Sequence, residues 1–423
     1  MRPRAALLTL AALAALALGA AGCSSRERAN PLDPVNPQTG GRPEGFDAVA
    51  GFSVITIAWT PRPDLAIDGF QLLRLAPDDS LYRPLGDVRP ATASNYVDAG
   101  VLNGRRYRYR LHYVVGGSLS QRPAEDEATP GPLRVYVADA GAGAAIRLSP
   151  DGRDELSRWS NFGAVQSLAV DASAGRVWVS ANLDGRVGWF DPATPFTLEI
   201  AGIASPYTLA ADASNHTVWI CDLTGSLHHR DLDGAAATPG TIPLLDQPIG
   251  VAVGPADRAL WVCEGGGNRV RRYSPAGTPL ATAFLSASPS RVAVDSLTRV
   301  AWVTSLQGAK LWRIAENGAL IDSTSASLTG PIGIALDRPR GLAWVADAAG
   351  NRVVAYDIAT LAVVRTITGL GEPRALATDP PTGQLWVVAR GSRAVLRYAS
   401  DGTLLDRRDG FGDPSEIALD YGW

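Results

Sequence analysis

From residue 133 to residue 423, short apolar runs rich in Val, Ile, Leu, Tyr and Trp alternate with clusters of Gly, Pro, Asp and Asn. The runs are strand-like, and no helical periodicity competes with them. They also repeat. Seven alanines, Ala169, Ala210, Ala252, Ala293, Ala335, Ala377 and Ala418, recur at a step of 41 or 42 residues, each inside an apolar run. A column of aromatics keeps the same step: Tyr136, Trp178, Trp219, Trp261, Trp302, Trp344 and Trp386. Two columns in register mean one supersecondary unit copied seven times.

One unit reads Pro331-Ile332-Gly333-Ile334-Ala335-Leu336-Asp337, then Gly341-Leu342-Ala343-Trp344-Val345-Ala346-Asp347. Gly350-Asn351-Arg352-Val353-Val354-Ala355-Tyr356-Asp357 and Val363-Val364-Arg365-Thr366-Ile367 complete it. This predicts four antiparallel strands joined by Asp, Gly and Pro turns. A four-stranded unit of about 40 residues is the blade of a β-propeller. The alanines belong to innermost strands, where blades converge and larger side chains collide. The aromatics belong to second strands, where the space between blades widens and a Trp, burying roughly 200 Å², fills it.

The ends of the repeat complement each other. Leu133-Arg134-Val135-Tyr136-Val137-Ala138-Asp139 reads as a second strand with no innermost strand before it. Ile417-Ala418-Leu419-Asp420 reads as an innermost strand with no second strand after it. Joined, they make a composite blade, close a seven-bladed ring and remove an open sheet edge.

These residues resemble the NHL-repeat propellers and their streptogramin-lyase and lactonase relatives. The resemblance rests on units such as 331–337 followed by Trp344-Val345-Ala346-Asp347 and Asn351-Arg352-Val353, with Gly267-Asn268-Arg269-Val270 repeating the start of a third strand. It spans 133–423 and implies the propeller fold. It implies no single activity, because the relatives include scaffolds, receptors, lyases and lactonases.

The front of the chain differs. Met1-Arg2-Pro3-Arg4 and the apolar stretch Ala5 to Leu18 read as a signal peptide, residues 1–22, too short to span a membrane stably. Ala20-Ala21-Gly22-Cys23-Ser24-Ser25 resembles a bacterial lipobox, which implies lipidation of Cys23. Ser24 is not the Asp that favours inner-membrane retention in enteric bacteria, so an outer-membrane lipoprotein of the cell envelope is expected. Residues 23–45 read as the lipidated Cys and a flexible tether. Residues 46–130 alternate as a β-sandwich that resembles a fibronectin type III domain. A candidate core Trp59 and a tyrosine corner at Leu102-Asn103-Gly104 ahead of Tyr107 support that resemblance.

Composition removes some functions. The formal charge is −3, and loss of Arg2 and Arg4 with the leader makes it −5, with no basic run, so nucleic acid is not an expected partner. Of three cysteines, Cys221 and Cys263 occupy one slot in neighbouring units and read as small buried core thiols. The repeated Asp171, Asp212, Asp295, Asp337, Asp379 and Asp420 sit where first strands end and read as turn caps rather than a carboxylate ring. In propeller lyases that resemble this repeat, histidines converge on one mouth of the ring. None of the four here, His112, His216, His228 and His229, falls at that mouth. No residue set matches a lactonase-like metal site in full, so no catalytic residue, metal or cofactor is predicted.

The loops that enter first strands and leave second strands open on one face of a propeller. The candidate binding face there comprises Arg291, Glu416, Arg374, Glu264, Asp347, Tyr207, Asn268 and Arg390. Arg291 and Glu416 stand out, because their slot otherwise holds Ser167, Thr208, Gly250, Gly333 or Ala375. The expected function is an envelope lipoprotein whose propeller binds a protein, peptide or glycan. The alternative is a divalent-cation-dependent lyase or lactonase at the same mouth.

Overall fold

The computed structural model describes residues 30–420 apart from 37, 52, 103, 104, 129, 131, 132, 192–197 and 201. Cys23 and its leader lie outside the described residues, as do Asn103 and Gly104 of the expected tyrosine corner. The structure divides into two compact units. One is drawn from the described residues of 30–48, 57–96 and 106–128, and the other from those of 49–56, 97–105 and 129–420.

In the first unit Gly69–Leu75 pairs with Tyr107–Val115 at the heart of a five-stranded sheet. Its inward positions alternate as the pleat requires, so Phe70, Leu72, Tyr109, Leu111 and Tyr113 are all buried. Trp59 is buried beside them, its ring centroid 5.7 Å from that of Phe70, which lies 5.6 Å from Tyr113.

Among the described residues the second unit holds seven four-stranded antiparallel sheets. Six are consecutive in the chain. The seventh is composite, with Pro414–Asp420 on Arg134–Asp139, followed by Ala144–Leu148 and Glu155–Trp159. The alanine and aromatic columns face each other directly across the first ladder of every sheet. Ala169 opposes Trp178, Ala210 opposes Trp219, and Ala252 opposes Trp261. Ala293 opposes Trp302, Ala335 opposes Trp344, Ala377 opposes Trp386, and Ala418 opposes Tyr136.

Every one of these aromatics is buried and packs on the next sheet. Trp261 meets Val292 and Val303, Trp344 meets Leu376 and Val387, and Trp386 meets Val137 and Ile417 of the composite sheet. Tyr136 of that sheet packs on Leu168, Val177 and Val179. The core of this unit is therefore a series of aromatic wedges between sheets rather than one central cluster. Small hydroxyls tie each of three sheets to the inner strand of the next: Ser180 Oγ donates to Tyr207 O at 2.6 Å, Thr304 Oγ1 to Ile332 O at 2.6 Å and Ser415 Oγ to Val165 O at 2.7 Å.

The aspartate column caps turns. Asp171 Oδ1 accepts the amide of Ala174 at 3.0 Å, and Asp295 Oδ1 those of Leu297 and Thr298 at 2.9 and 3.1 Å. The chain then reverses through Gly175 and Gly341, both at φ 64°, where a side chain would be strained.

Candidate functional site

The mouth is built by an irregularity that recurs where the innermost strands begin. Their pairing with the second strands shifts register between Pro206 and Leu209, Pro248 and Gly250, Pro331 and Ile334, Pro373 and Ala375, and Pro414 and Glu416. Proline has no amide hydrogen to give the ladder, so it suits the first residue of a strand and a bulge. A bulge re-aims the side chains beside it. Tyr207, Ile249, Ile332 and Arg374, each following such a proline, together with Ser290 after Pro289, line one cavity of about 170 Å³. Ser288, Pro289, Arg291, Leu306 and Gln307 complete its wall.

Glycine makes room for the strands behind it. A Cβ on Gly250 would lie 2.9 Å from Ser290 O, and one on Gly333 only 2.5 Å from Arg374 O. Backbone cannot yield as a flexible side chain can, so these two positions admit glycine where neighbouring inner strands run closest.

Arg291 crosses the mouth. Its Nη1 donates to Ile249 O at 2.9 Å, its guanidinium carbon sits 5.5 Å from the Tyr207 ring centroid, and Nη2 stands 3.9 Å from Glu416 Oε2. That ion pair is too long for a hydrogen bond. Burial pushes the Glu416 carboxyl above its ordinary value, against the opposing pull of Arg291 and Arg374. Arg374 lines the same cavity, and its Nε is buried without a hydrogen-bond partner. Two guanidiniums therefore stand at this cavity beside the Glu416 carboxyl, with Asp413 also feeling Arg374.

Four of the expected residues, Arg291, Glu416, Arg374 and Tyr207, come together here. The others are held elsewhere. Glu264 is fully buried: Oε2 takes Arg269 at 2.7 Å and the amide of Asp246 at 2.7 Å, while Arg271 Nε stands 2.8 Å from Oε1. Asp347 is equally buried, bound to Arg352 at 2.8 Å and to the amides of Thr329 and Gly330. Both carboxylates tie the loop entering a sheet to the end of its second strand, which is a structural task. The recurring carboxylate five residues ahead of an arginine, Glu264/Arg269 and Asp347/Arg352, is the sequence signal for it. Asn268 occupies an exposed turn position at φ 45° and its carbonyl accepts the amide of Leu285. Arg390 forks onto Asp413 at 2.5 and 2.9 Å and reaches Glu372 at 3.3 Å. Ile249, Ser290, Ile332, Leu306 and Gln307 were not foreseen. The proline ahead of each bulge is what could have pointed to the first three.

The histidines have other engagements. His216 Nδ1 lies 2.9 Å from Asp171, and His228 Nε2 lies 3.3 Å from Asp222. His229 stacks on Trp219 at 3.9 Å, and His112 meets Ser120 O at 2.8 Å. Burial lowers the pKa of His112, His228 and His229. Cys221 and Cys263 are free and buried, and burial raises both thiols, Cys221 to about 12, which leaves them inert. Among the described residues no three His, Cys, Asp or Glu side chains are grouped to hold a metal ion.

No family model and no curated protein matches the chain. Solved structures do. A catalytically inactive virginiamycin B lyase from Staphylococcus aureus with quinupristin superposes at TM-score 0.52 and 17% identity, covering 66% of this chain and 88% of that one. A protein from Lactobacillus plantarum gives 0.58 at 15% identity, over 68% and 99%. The WD40 β-propeller domain of Doa1 gives 0.52 at 13% identity, over 60% and 85%. At such identities the likeness shows the fold alone. The chain is an all-β protein that carries a β-propeller.

Proposed function

We propose that this chain is a lipid-anchored protein of the bacterial cell envelope whose propeller binds a protein, peptide or glycan at its mouth. In this reading the seven sheets are seven blades of one NHL-like ring. Residues 46–130 are a fibronectin type III-like spacer, and Cys23 carries the lipid. The observation that carries the reading is the cavity bounded by Tyr207, Arg291 and Arg374, which collects cationic, aromatic and aliphatic side chains from several sheets at one opening. A concave site with a few convergent polar groups on apolar walls is the usual form of a ligand site. The alternative, a divalent-cation-dependent lyase or lactonase, draws on the fold shared with the virginiamycin lyase. It is less well supported, because the histidines described above are engaged with Asp171, Asp222, Trp219 and Ser120.

Affinity capture from native envelope by the full chain, run with and without chelator, tests the proposal. The expected result is a partner that survives chelation and is lost when Arg291 and Arg374 are both changed to Gln. Capture indifferent to both substitutions would remove the mouth as the site. Chelator-sensitive turnover of a lactone or cyclic depsipeptide would establish the alternative.

A further inference from the structure

We infer that the mouth cavity receives the free carboxyl-terminus of a peptide whose last side chain is apolar. The inference rests on the proposed binding role of the mouth and narrows its ligand. Three features of the cavity lead to it.

The first is an unspent donor. A buried polar group without a partner is costly in a native fold, so each instance asks for an explanation. Other arginines with a buried, unpartnered Nε, such as Arg147 and Arg176, do not line this cavity, whereas Arg374 does. Nε itself is shielded from solvent, so the terminal nitrogens of the Arg374 guanidinium are what a carboxylate in the cavity would meet.

The second is charge. Arg291 and Arg374 face Glu416, whose nearest oxygen stands 3.9 Å from Arg291. Asp413, the other carboxylate that feels Arg374, is already forked by Arg390, so the cavity's two guanidiniums share Glu416 and leave an excess that a monoanion neutralises. A second guanidinium close to the first also makes a carboxylate a better match than a neutral amide.

The third is the wall. Ile249, Ile332, Leu306 and Pro289 are apolar, and Tyr207 presents a ring face. At roughly 30 Å³ per water, the cavity of about 170 Å³ holds the equivalent of about six waters, the scale of one amino-acid residue. Ser288, Ser290 and Gln307 also line the wall, but a uronic acid would bring hydroxyls on every side, and the Ile249, Ile332, Leu306 and Pro289 part of the wall would strip their water without replacing the hydrogen bonds. A terminal Leu, Ile, Val or Phe brings a carboxylate and an apolar group on the same carbon, which is the pairing the cavity offers.

The test uses the full chain and fluorescein-labelled hexapeptides ending in Leu or Phe. Each peptide is made as the free acid and as the carboxyl-terminal amide, with binding read by fluorescence anisotropy. The acids are expected to bind, amidation to weaken binding about tenfold, and Arg374→Gln to weaken the acids by a similar factor while leaving the melting temperature unchanged. Acids and amides that bind alike, or fail to bind at all, overturn the inference. So does oligogalacturonate binding that depends on Arg374 when no peptide binds, which leaves the mouth as a site but makes its ligand a glycan. Failure of the broader proposal reads differently: envelope capture would then ignore both arginines, whatever the peptides do.

Discussion

Replacing Ile417 by Ala probes the joint between the two ends of the repeat. Ile417 lies opposite Val137 in the ladder between Pro414–Asp420 and Arg134–Asp139 and is only 5% exposed. It packs with Leu133, Val135 and Ile146 of its own composite sheet and with Ala375, Trp386 and Val388 of the preceding one. The substitution opens a cavity on both sides of a sheet interface whose backbone is paired and cannot collapse to fill it. Loss of a buried Ile side chain costs about 2–5 kcal/mol, and this rigid setting supports about 3. A domain of this size loses roughly 2–4 °C per kcal/mol, so the melting temperature should fall by about 6–12 °C. Urea unfolding followed by tryptophan fluorescence should show a lower midpoint with unchanged slope. Val364→Ala, on an outer strand with Val364 51% exposed, is the control and should stay within about 0.5 kcal/mol. An Ile417 variant no less stable than that control would refute the closure.

Other perturbations reach the remaining parts of the account. Glu264→Gln should destabilise by about 2 kcal/mol, at the low side for a broken buried ion pair because Arg269 and Arg271 keep some contact with water, and should leave partner capture intact. Urea midpoints and capture yield check the two halves. Glu416 has a folded pKa raised by burial, so its stability contribution is complete below the unfolded carboxylate value near pH 4 and is lost as pH rises through the folded pKa. Glu416→Gln, which cannot ionise, should therefore gain stability relative to the natural chain between pH 4 and pH 7, measured as the difference in urea midpoints at the two pH values. Cys23→Ala should move the protein from the membrane pellet to the soluble fraction on ultracentrifugation. Sedimentation that still requires detergent to reverse would end the lipoprotein reading.

The repeat made the propeller legible because its two columns record the tightest constraints in such a ring. Alanine marks the crowded inner strand, as at Ala335, and tryptophan fills the wedge beside it, as at Trp344. The same logic identified the partnership of Leu133–Asp139 with Ile417–Asp420, and the aspartates such as Asp295 cap turns as their position suggested. The mouth was legible only in part. Side-chain direction in a strand has period two, so a one-residue bulge after Pro248 or Pro373 changes what faces the opening. Strand counting alone therefore missed Ile249, although it placed Arg374 on the candidate face. Glu264 and Asp347 misled for a different reason. A charged residue at a loop end reads as solvent-facing unless its arginine partner and the backbone amides it accepts are known.

Site-specific photo-crosslinking in the native envelope measures the central claim most directly. A benzoylphenylalanine at Gln307, on the cavity wall, is compared with one at Ser214, in a turn at the opposite end of the strands. The account predicts a discrete crosslinked partner from Gln307 that disappears when Arg374 is changed to Gln, and none from Ser214. A partner captured equally from Ser214, or from Gln307 regardless of Arg374, would contradict it.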